Sequence, residues 1–449
     1  MAVRYITVTP VTKLFKPATR AFGDIAIVGT ANANAIGPLK TPIPITNPDG
    51  VIYSAKTSLT AAIDAATTTI PIGPLAGFPT GFPYNIRIEN EQMRVTAAAA
   101  NNLTVTRSAA GTTAAPHAIG LDVVYSTRDK AVDDPGSVTA GLPPTWFQGN
   151  LGAAVRKAFE QTPGPTTIWA VRANDAADFG SALDVVDKLD VQIVLLANTP
   201  LISNAIGRTE VELLSSRVNT VSKTGGDGKE RIGVAMLGKD LADPTQITGN
   251  MSNSRMVMVA HKSTEDAAAA VAGTIAGYEP HISLLLKPVS ISMDTLFSDA
   301  EMDTLNNARI NWLTDPSLIP GKGLFMGEGY TLGADIPYID ITRTIDDCSF
   351  RLKAALIRSI GDLRVSRSGL RTLVSQITAV LEPLKQREVI ESYEILLPLL
   401  VLLDKDPGTL TDAELQEINN AQNARVVDAI VAVDYAGAIH RLNITLKFE

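Results

Sequence analysis

The chain has 449 residues, of which 45% are hydrophobic, and this allows roughly two to four domains with sizeable cores. Its 39 basic and 47 acidic residues give a net charge of −8, which argues against a protein that grips nucleic acid over its whole surface. The single cysteine, Cys348, excludes an internal disulfide framework and is expected to be a buried small apolar group. We expect no export leader, and the longest apolar stretch, residues 395–403, contains Pro398 and is too short to cross a bilayer.

The N-terminal residues predict an extended arm. Residues 3–10 are rich in β-branched and aromatic side chains, and a basic, proline-containing linker follows them. We assign residues 1–20 to this arm, whose strand carries Val3, Tyr5, Ile6 and Val8. A short buried strand at residues 24–29 then opens the main domain.

Between residues 54 and 126 the pattern changes to short β segments separated by turn residues. Strands are predicted at residues 69–72, 84–89, 93–96, 103–106 and 121–125. Asn101 and Asn102 lie between two of them and predict a hairpin turn. Because α/β character precedes and follows this segment, we interpret residues 54–126 as an inserted all-β domain that decorates the periphery of the protein.

From Asn150 onward helix and strand patterns alternate, which predicts an α/β sheet covered by helices. Asn150 is the predicted N-cap of a helix whose apolar face carries Leu151, Ala154, Val155, Ala158 and Phe159. Further strands are predicted at residues 167–171, 191–196, 231–236, 256–259 and 282–286, and helices at residues 181–189, 210–223 and 265–277. We assign residues 21–53 with 127–334 to this α/β domain.

After Asp335 the sequence is mainly helical, and residues 335–437 are assigned to the helical part of a C-terminal domain. One apolar stripe contains Leu352, Leu356, Ile360 and Leu363, and a second contains Leu370, Leu373, Val374, Ile377 and Leu381. Thr411 begins a capping box before a last helix. Residues 438–449 then form a strand arm, with Leu442, Ile444, Leu446 and Phe448 on one face. A strand at each end of the chain predicts strand exchange between identical subunits.

The glycine-containing segments do not fit nucleotide-binding motifs. Residues 24–37 run from a strand into a loop, but Ala31 and Asn34 occupy the second and third glycine positions of the dinucleotide fingerprint. Residues 225–229 and 321–323 are interpreted as exposed turns, because the leading glycine of a phosphate loop is missing and no Ser or Thr follows either lysine.

Titratable residues give no pattern of a reactive site either. The histidines lack metal-ligand spacing and are expected to be packed or solvated: His117, His261, His281 and His440. Asp346 and Asp347 are expected to be a solvated or arginine-paired helix start, with cation binding or acid–base chemistry as the alternative. We therefore predict no catalytic residue, no metal and no cofactor.

Six basic residues lie close together in an otherwise acidic chain: Arg351, Lys353, Arg358, Arg364, Arg367 and Arg371. The single acid within this stretch is Asp362. Charge of one sign steers a complementary partner and fixes its register. Two interpretations stay open, namely docking of a partner and a solvated face neutralised by acids from elsewhere in the fold.

Several stretches, taken in order, resemble contractile tail sheath proteins. They are residues 149–159 with 168–172, 327–331, 338–343 with Asp346, and 438–446. The resemblance covers most of residues 140–449 together with 21–29. The insert is similar to a small β module of phage tail proteins, through residues 69–72, 77–79, 86–89, Met93, 103–107 and 111–117.

The resemblance implies a multidomain, mixed α/β sheath-like fold without enzymatic activity. Sheath subunits form stacked hexameric rings around an inner tube, contract while they stay joined, and donate terminal arms to a sheet in neighbouring subunits. The implied partners are other copies of the chain, the inner tail tube protein, and the baseplate and tail terminator proteins, with no direct nucleic acid contact and no membrane insertion. In this family the C-terminal domain lies nearest the tube, so the six basic residues are tube-facing candidates. The implied location is the virion tail, assembled in the cytoplasm of the bacterial host.

Two other classes of protein stay open. A nucleotide-binding α/β enzyme is the main alternative, and it is expected to form small discrete oligomers rather than tubes or rings. A passive shell or tube protein is disfavoured by the alternation of strand and helix over roughly three hundred residues, since tube proteins are usually small and β-rich.

Overall fold

A computed structural model of the protein describes residues 23–31, 39–46, 53–75, 78, 81–89, 91–109, 112–126, 149–203, 206–223, 229–319, 323–359, 361–438 and 440. The predicted arm residues lie outside these ranges: Val3, Tyr5, Ile6, Val8, Leu442, Ile444, Leu446 and Phe448. No helix within the described ranges is long and apolar enough to cross a membrane.

The strands are β1 (Asp24–Thr30), β2 (Pro42–Ile45), β3 (Tyr53–Ser58), β4 (Thr69–Pro71), β5 (Tyr84–Ile88), β6 (Glu91–Ala99), β7 (Asn102–Ala109), β8 (Asp122–Ser126), β9 (Thr167–Ala173), β10 (Ile193–Leu201), β11 (Ile232–Leu237), β12 (Met256–Ala260), β13 (Pro288–Val289), β14 (Asn311–Thr314), β15 (Leu324–Met326), β16 (Ile390–Leu396) and β17 (Ile430–Tyr435). The helices are α1 (Asn150–Phe159), α2 (Phe179–Val186), α3 (Arg208–Lys223), α4 (Ala267–Gly277), α5 (Asp299–Asn307), α6 (Ile339–Leu356), α7 (Arg367–Gln386), α8 (Pro398–Asp404) and α9 (Asp412–Ala424).

A nine-stranded sheet forms the centre of the fold, in the order β13-β15-β14-β12-β11-β10-β1-β9-β2. The six strands from β14 to β9 in this order are parallel, and the strands added at the two edges are antiparallel. Residues 25–28 of β1 are completely buried, because α1 and α4 cover one face of the sheet and α2, α3 and α5 cover the other. This three-layer arrangement confirms the predicted α/β fold.

Two predictions in this part of the chain are wrong. Residues 282–286 form no strand, since a turn closes between Leu284 and Lys287 and leaves Leu286 with a positive φ of 57°. Asn150 is the first helical residue rather than the N-cap. Gly149 occupies the cap position without a side-chain hydrogen bond, and the Asn150 amide oxygen accepts a bond from Asn198 instead.

The predicted apolar stripe from Leu352 to Leu363 does not form one helix. Helix α6 ends at Leu356, and Gly361 has a φ of 94°, a left-handed conformation that breaks helical geometry. The second stripe lies on α7, where Leu370, Ile377 and Leu381 are buried. Thr411 forms the expected capping box with Glu414 at the start of α9.

Residues 53–126 build a separate antiparallel sheet in the order β3-β8-β5-β6-β7-β4, as the all-β prediction for this segment expects. Its apolar side chains form a core of their own: Ile70, Ile72, Ile86, Ile88, Met93, Val95, Leu103 and Val123. The hairpin turn lies one residue earlier than predicted. Ala99 pairs with Asn102, so Ala100, with a φ of 49°, and Asn101 make the turn.

A buried ionic network ties the loops of this β module to its sheet. Glu91 accepts two hydrogen bonds of 2.7 Å from Arg107 and one of 3.0 Å from the backbone N–H of Ala115, and His117 Nε2 lies 2.9 Å away. Arg107 also donates to the carbonyl oxygens of Asp64 and Thr67. Burial alone would favour the neutral acid, but these bonds outweigh it and lower the pKa of Glu91 to about 2.

Tight packing between α1 and α4 predicts the effect of one substitution. A methyl group at Gly273 would lie 2.3 Å from the Ala158 carbonyl oxygen, so the two helices would have to separate. We expect Gly273→Ala to lower the free energy of unfolding by about 1–3 kcal/mol, although Ala is the better helix former. Urea unfolding followed by circular dichroism measures the change. Gly249→Ala is the control, because no atom lies within 4 Å there, and an equal effect of both variants would contradict the packing argument.

The Glu91 network predicts a pH-dependent contribution to stability. Because the pKa falls from 4.5 to about 2 on folding, the stabilisation is complete above about pH 4.5 and is lost as the pH falls toward 2. At pH 7 we expect Glu91→Gln to destabilise the β module by about 3 kcal/mol. Hydrogen exchange of the β6 and β7 amides measures this loss. Glu89→Gln is the control, since the Glu89 side chain is 55% exposed and should contribute less than about 1 kcal/mol.

Candidate subunit interface

Strands β16 and β17, which α8 and α9 separate in the chain, form an open two-stranded sheet that we name the C-terminal sheet. The strands are antiparallel, with Leu396 opposite Ile430 and Tyr393 opposite Val433. The inner face packs on α6 and α7 through Tyr393, Ile395 and Val431. Within the described ranges neither strand has a second neighbour, so both outer edges present unpaired backbone groups. Such edges accept an added strand.

The outer face of the C-terminal sheet is exposed, with apolar side chains at one end and acidic side chains further along. At one end Leu396 and Ile430 expose about half of their surface, 44% and 55%. Further along lie the exposed acids Glu391, Glu394 and Asp434. Two-stranded sheets are marginally stable without a further strand or a packed face, and here only the inner face is packed. The C-terminal sheet is therefore suited to pair with another strand.

Three of the stretches that resemble sheath proteins meet beside the C-terminal sheet. Glu328 belongs to residues 327–331, Tyr338 and Asp340 to residues 338–343, and His440 to residues 438–446. His440 Nδ1 lies 2.9 Å from Glu328 Oε2, and its ring contacts the Tyr338 ring edge to face with centroids 4.7 Å apart. We name the contacting residues the arm anchor: Ser283, Glu328, Tyr338, Asp340, Tyr435 and His440.

The arm anchor holds the chain at two points. Tyr435, the last residue of β17, donates a 2.6 Å hydrogen bond to Asp340 and lies 3.3 Å from the His281 carbonyl oxygen. His440 Nε2 lies 2.9 Å from Ser283 Oγ. Burial and the bond to Asp340 raise the pKa of Tyr435 well above its usual range, so the phenol stays a hydrogen-bond donor.

The sheet fixes the loop that carries Glu328. Asn311, fully buried at the start of β14, accepts a 2.6 Å bond from the Tyr330 N–H and donates a 2.8 Å bond to the Tyr330 carbonyl. Gly327 is required here, because a methyl group would lie 2.3 Å from the Trp312 ring. Tyr338 and Asp340 stand at the start of α6. A cleft of about 620 Å³ opens between these elements and the segment that follows Tyr435.

Gly29, the first glycine of the segment that does not fit the dinucleotide fingerprint, allows close packing between a strand and a helix. A methyl group at Gly29 would lie 2.5 Å from the Ala197 side chain and 3.2 Å from that of Leu151, so strand and helix fill this position. The loop after it and the glycines at 225, 226 and 321 lie outside the described residues. The part of the chain that the structure describes contains no group of three acidic, histidine or cysteine side chains placed to hold a metal.

The other titratable residues singled out in the sequence are internal contacts. His117 and His261 are buried, and burial lowers the pKa of His261, whose ring nitrogens lie near the carbonyls of Ser263 and Leu237. Cys348 is partly buried, and burial raises its pKa to about 11. Asp346 pairs with Arg255 and Asp347 with Arg351, which confirms the arginine pairing. The two acids lie inside α6 rather than at its start, which corrects that detail.

The six basic residues divide into two groups. Four form ion pairs within the subunit: Arg351 with Asp347, Lys353 with Glu230, and both Arg367 and Arg371 with Asp404. Arg358 and Arg364 are exposed, and Arg364 makes a long 3.5 Å contact with the Gly361 carbonyl. Acids from elsewhere therefore offset much of the cluster, and its role toward a tube stays a prediction.

No family model and no curated protein matches this sequence. Among solved structures, a chain of the six-fold symmetrised baseplate of the anti-feeding prophage is similar over 99% of both chains, with 14% identity and a TM-score of 0.49. The contracted helical sheath of the same particle is similar over 70% of this chain and 85% of that one, with 17% identity and a TM-score of 0.46. The sheath tail protein of Listeria innocua covers 92% and 95%, with 10% identity and a TM-score of 0.46. The latter two are sheath proteins, the family that the sequence stretches resemble, at identities below 25% and TM-scores below 0.5.

Proposed function

We propose that the chain is a structural subunit of a contractile tail sheath. In this proposal it polymerises as stacked hexameric rings around an inner tube and contracts to drive the tube through a target envelope. The observation that carries the proposal is the arrangement of the C-terminal chain. An open two-stranded sheet lies beside an anchored segment that leads directly into residues 442–449.

The terminal strand is the proposed connection between subunits. Eight residues in extended conformation span at most about 26–29 Å, so the proposal requires the C-terminal sheet of an adjacent copy to lie within that distance. The apolar face of Leu442, Ile444, Leu446 and Phe448 suits a sheet with one packed face, and the N-terminal strand with Val3, Tyr5, Ile6 and Val8 supplies a second arm. Joints of this kind keep subunits connected while their bodies rotate.

The proposed partners follow from this role. They are other copies of the chain, an inner tail tube protein, and baseplate and tail terminator proteins at the ends of the sheath. The particle is proposed to assemble in the cytoplasm of a bacterial host, as a phage tail or a related injection particle. Arg358 and Arg364 are the tube-facing candidates that the intramolecular ion pairs leave most available.

Deletion of residues 442–449 should abolish polymerisation and leave the subunit folded, because the strand completes a sheet of a neighbour. Sedimentation and negative-stain microscopy measure assembly, and circular dichroism measures folding. Within the full chain, Ile444→Asp with Leu446→Asp should act like the deletion, whereas Thr445→Ala on the polar face should assemble normally. Normal tubes from the truncated chain would show that residues 442–449 do not join subunits.

Charge reversal at the exposed arginines should weaken growth around the tube. We expect Arg358→Glu with Arg364→Glu to reduce binding to the tube protein about tenfold at low salt, since exposed charge pairs are worth roughly 0.2–1 kcal/mol each. Co-sedimentation at low and high salt measures this, and the difference should shrink at high salt. Lys188→Glu with Lys239→Glu makes the same change in net charge on the α/β body and serves as the control. Equal binding of both double variants would place the tube contact elsewhere.

A further inference from the structure

The cleft between the start of α6 and the end of β17 combines aromatic side chains with one buried acid. Its volume of about 620 Å³ lies within the range of small-ligand sites, roughly 300–1,000 Å³. Tyr330, Tyr338, Tyr435 and His440 supply aromatic rings, and Asp340 supplies a carboxyl group. None of the described residues that line the cleft is a lysine or an arginine. The cleft therefore carries groups that attract a cation, without a lysine or arginine to pair with them.

Asp340 is the charged group of this cleft. It is only 4% exposed, and among the described residues only Tyr435 donates a hydrogen bond to its side chain, at Oδ2. Burial raises the pKa of Tyr435, so the phenol keeps its proton and the negative charge of the pair remains on Asp340. A buried carboxylate with a single neutral donor is stabilised further by a cationic partner.

Arg343, three residues further along α6, does not take the place of such a partner. It is buried and donates a 2.9 Å hydrogen bond to the Tyr278 carbonyl oxygen. Its charge interacts more strongly with Asp347 and Asp346 than with Asp340. Arg343 is also absent from the lining of the cleft. It therefore offsets the charge of Asp340 only in part.

The aromatic rings contact one another along the same cleft. Tyr338 lies between Tyr330 and His440, with ring centroids 5.4 Å and 4.7 Å away. The Tyr330 hydroxyl donates a 3.0 Å hydrogen bond to Asn306, which stabilises the position of that ring. Aromatic faces attract ammonium and guanidinium groups within about 6 Å, and a carboxylate adds charge-assisted hydrogen bonds. Rings and carboxylate together fit a cation that carries an alkyl chain.

We propose that this cleft is a binding site for an organic cation, in which Asp340 pairs with an ammonium or guanidinium group and the tyrosine rings contact the rest of the ligand. Two sources present this chemistry, namely a lysine or arginine side chain of a second copy of the chain and a free amine. The inference goes beyond the proposed function, since the site is defined by its own residues whether or not the chain forms a sheath.

Butylguanidinium is the test ligand, because butylurea has nearly the same shape without the charge. Saturation-transfer NMR on the full chain should give a dissociation constant of about 1 mM for butylguanidinium and about tenfold weaker binding of butylurea. Asp340→Asn keeps an acceptor for the Tyr435 hydroxyl and removes the charge, so it should weaken binding of the cation about tenfold. Tyr338→Leu should weaken it about threefold. Asp335→Asn is the matched control, because Asp335 is exposed and lies outside the cleft.

Sedimentation of assembled protein distinguishes the two sources of the cation. If a second copy supplies it, Asp340→Asn and excess butylguanidinium should each reduce the polymer about tenfold, whereas Asp335→Asn and butylurea should leave it unchanged. If a free amine is the ligand, the polymer stays intact in all four cases, and butylguanidinium still binds wild type more tightly than Asp340→Asn. Either pattern supports the site.

Three results would overturn the inference: butylguanidinium does not bind the folded full chain, binds no better than butylurea, or binds equally well to folded Asp340→Asn. If circular dichroism shows that Asp340→Asn does not fold, Tyr338→Leu decides by the same comparison, and unchanged affinity then refutes the site. The sheath proposal is tested separately, because deletion of residues 442–449 reports on assembly and not on binding of butylguanidinium.

Discussion

The contact of His440 with Glu328 joins the C-terminal segment to a loop that is hydrogen-bonded to the central sheet. Glu328 lies in a loop that Asn311 holds by two hydrogen bonds, and Asn311 begins a strand paired with β12 near the centre of the sheet. Burying a polar side chain as completely as that of Asn311 costs free energy unless the side chain is hydrogen-bonded. The two bonds to Tyr330 therefore stabilise the position of the loop. Residue 440 is consequently tied to the sheet through two successive contacts, His440 with Glu328 and Tyr330 with Asn311.

The segment that contacts Tyr435 and His440 also lies close to Gly23, the first described residue. Gly23 packs so closely on the Ala276 carbonyl that a methyl group there would lie 2.6 Å from the oxygen. A few residues later, the His281 carbonyl and the Ser283 hydroxyl contact Tyr435 and His440. One short segment, residues 276–283, therefore touches Gly23, just after the predicted N-terminal arm, and His440, within the predicted C-terminal arm. Movement of this segment would shift both connections together.

Sequence patterns located the elements whose signals are local. The buried strands β1, β9, β10, β11 and β12 are continuous apolar runs between turn residues, and the capping box of α9 needs only Thr411 and Glu414. Strands β16 and β17 were missed because they pair across 34 or more residues and alternate weakly, and the apolar run at residues 395–403 merges the end of β16 with α8. The arm anchor had no local signal, since His440 is separated by 112 residues from Glu328 and by 157 from Ser283. The resemblance to sheath proteins includes three of the segments that contribute to the arm anchor. The three-dimensional structure was needed to show that these segments contact one another.

The pairing of β3 with β8 has a consequence for how the β module is attached. Tyr53 lies opposite Ser126, so the first and last strands of the module are neighbours and its two connections to the α/β body leave side by side, about 5 Å apart. An attachment through two adjacent strand ends places little geometric demand on what lies between them. Because the two strand ends are neighbours, we expect a different folded unit with adjacent ends to be tolerated in place of the module.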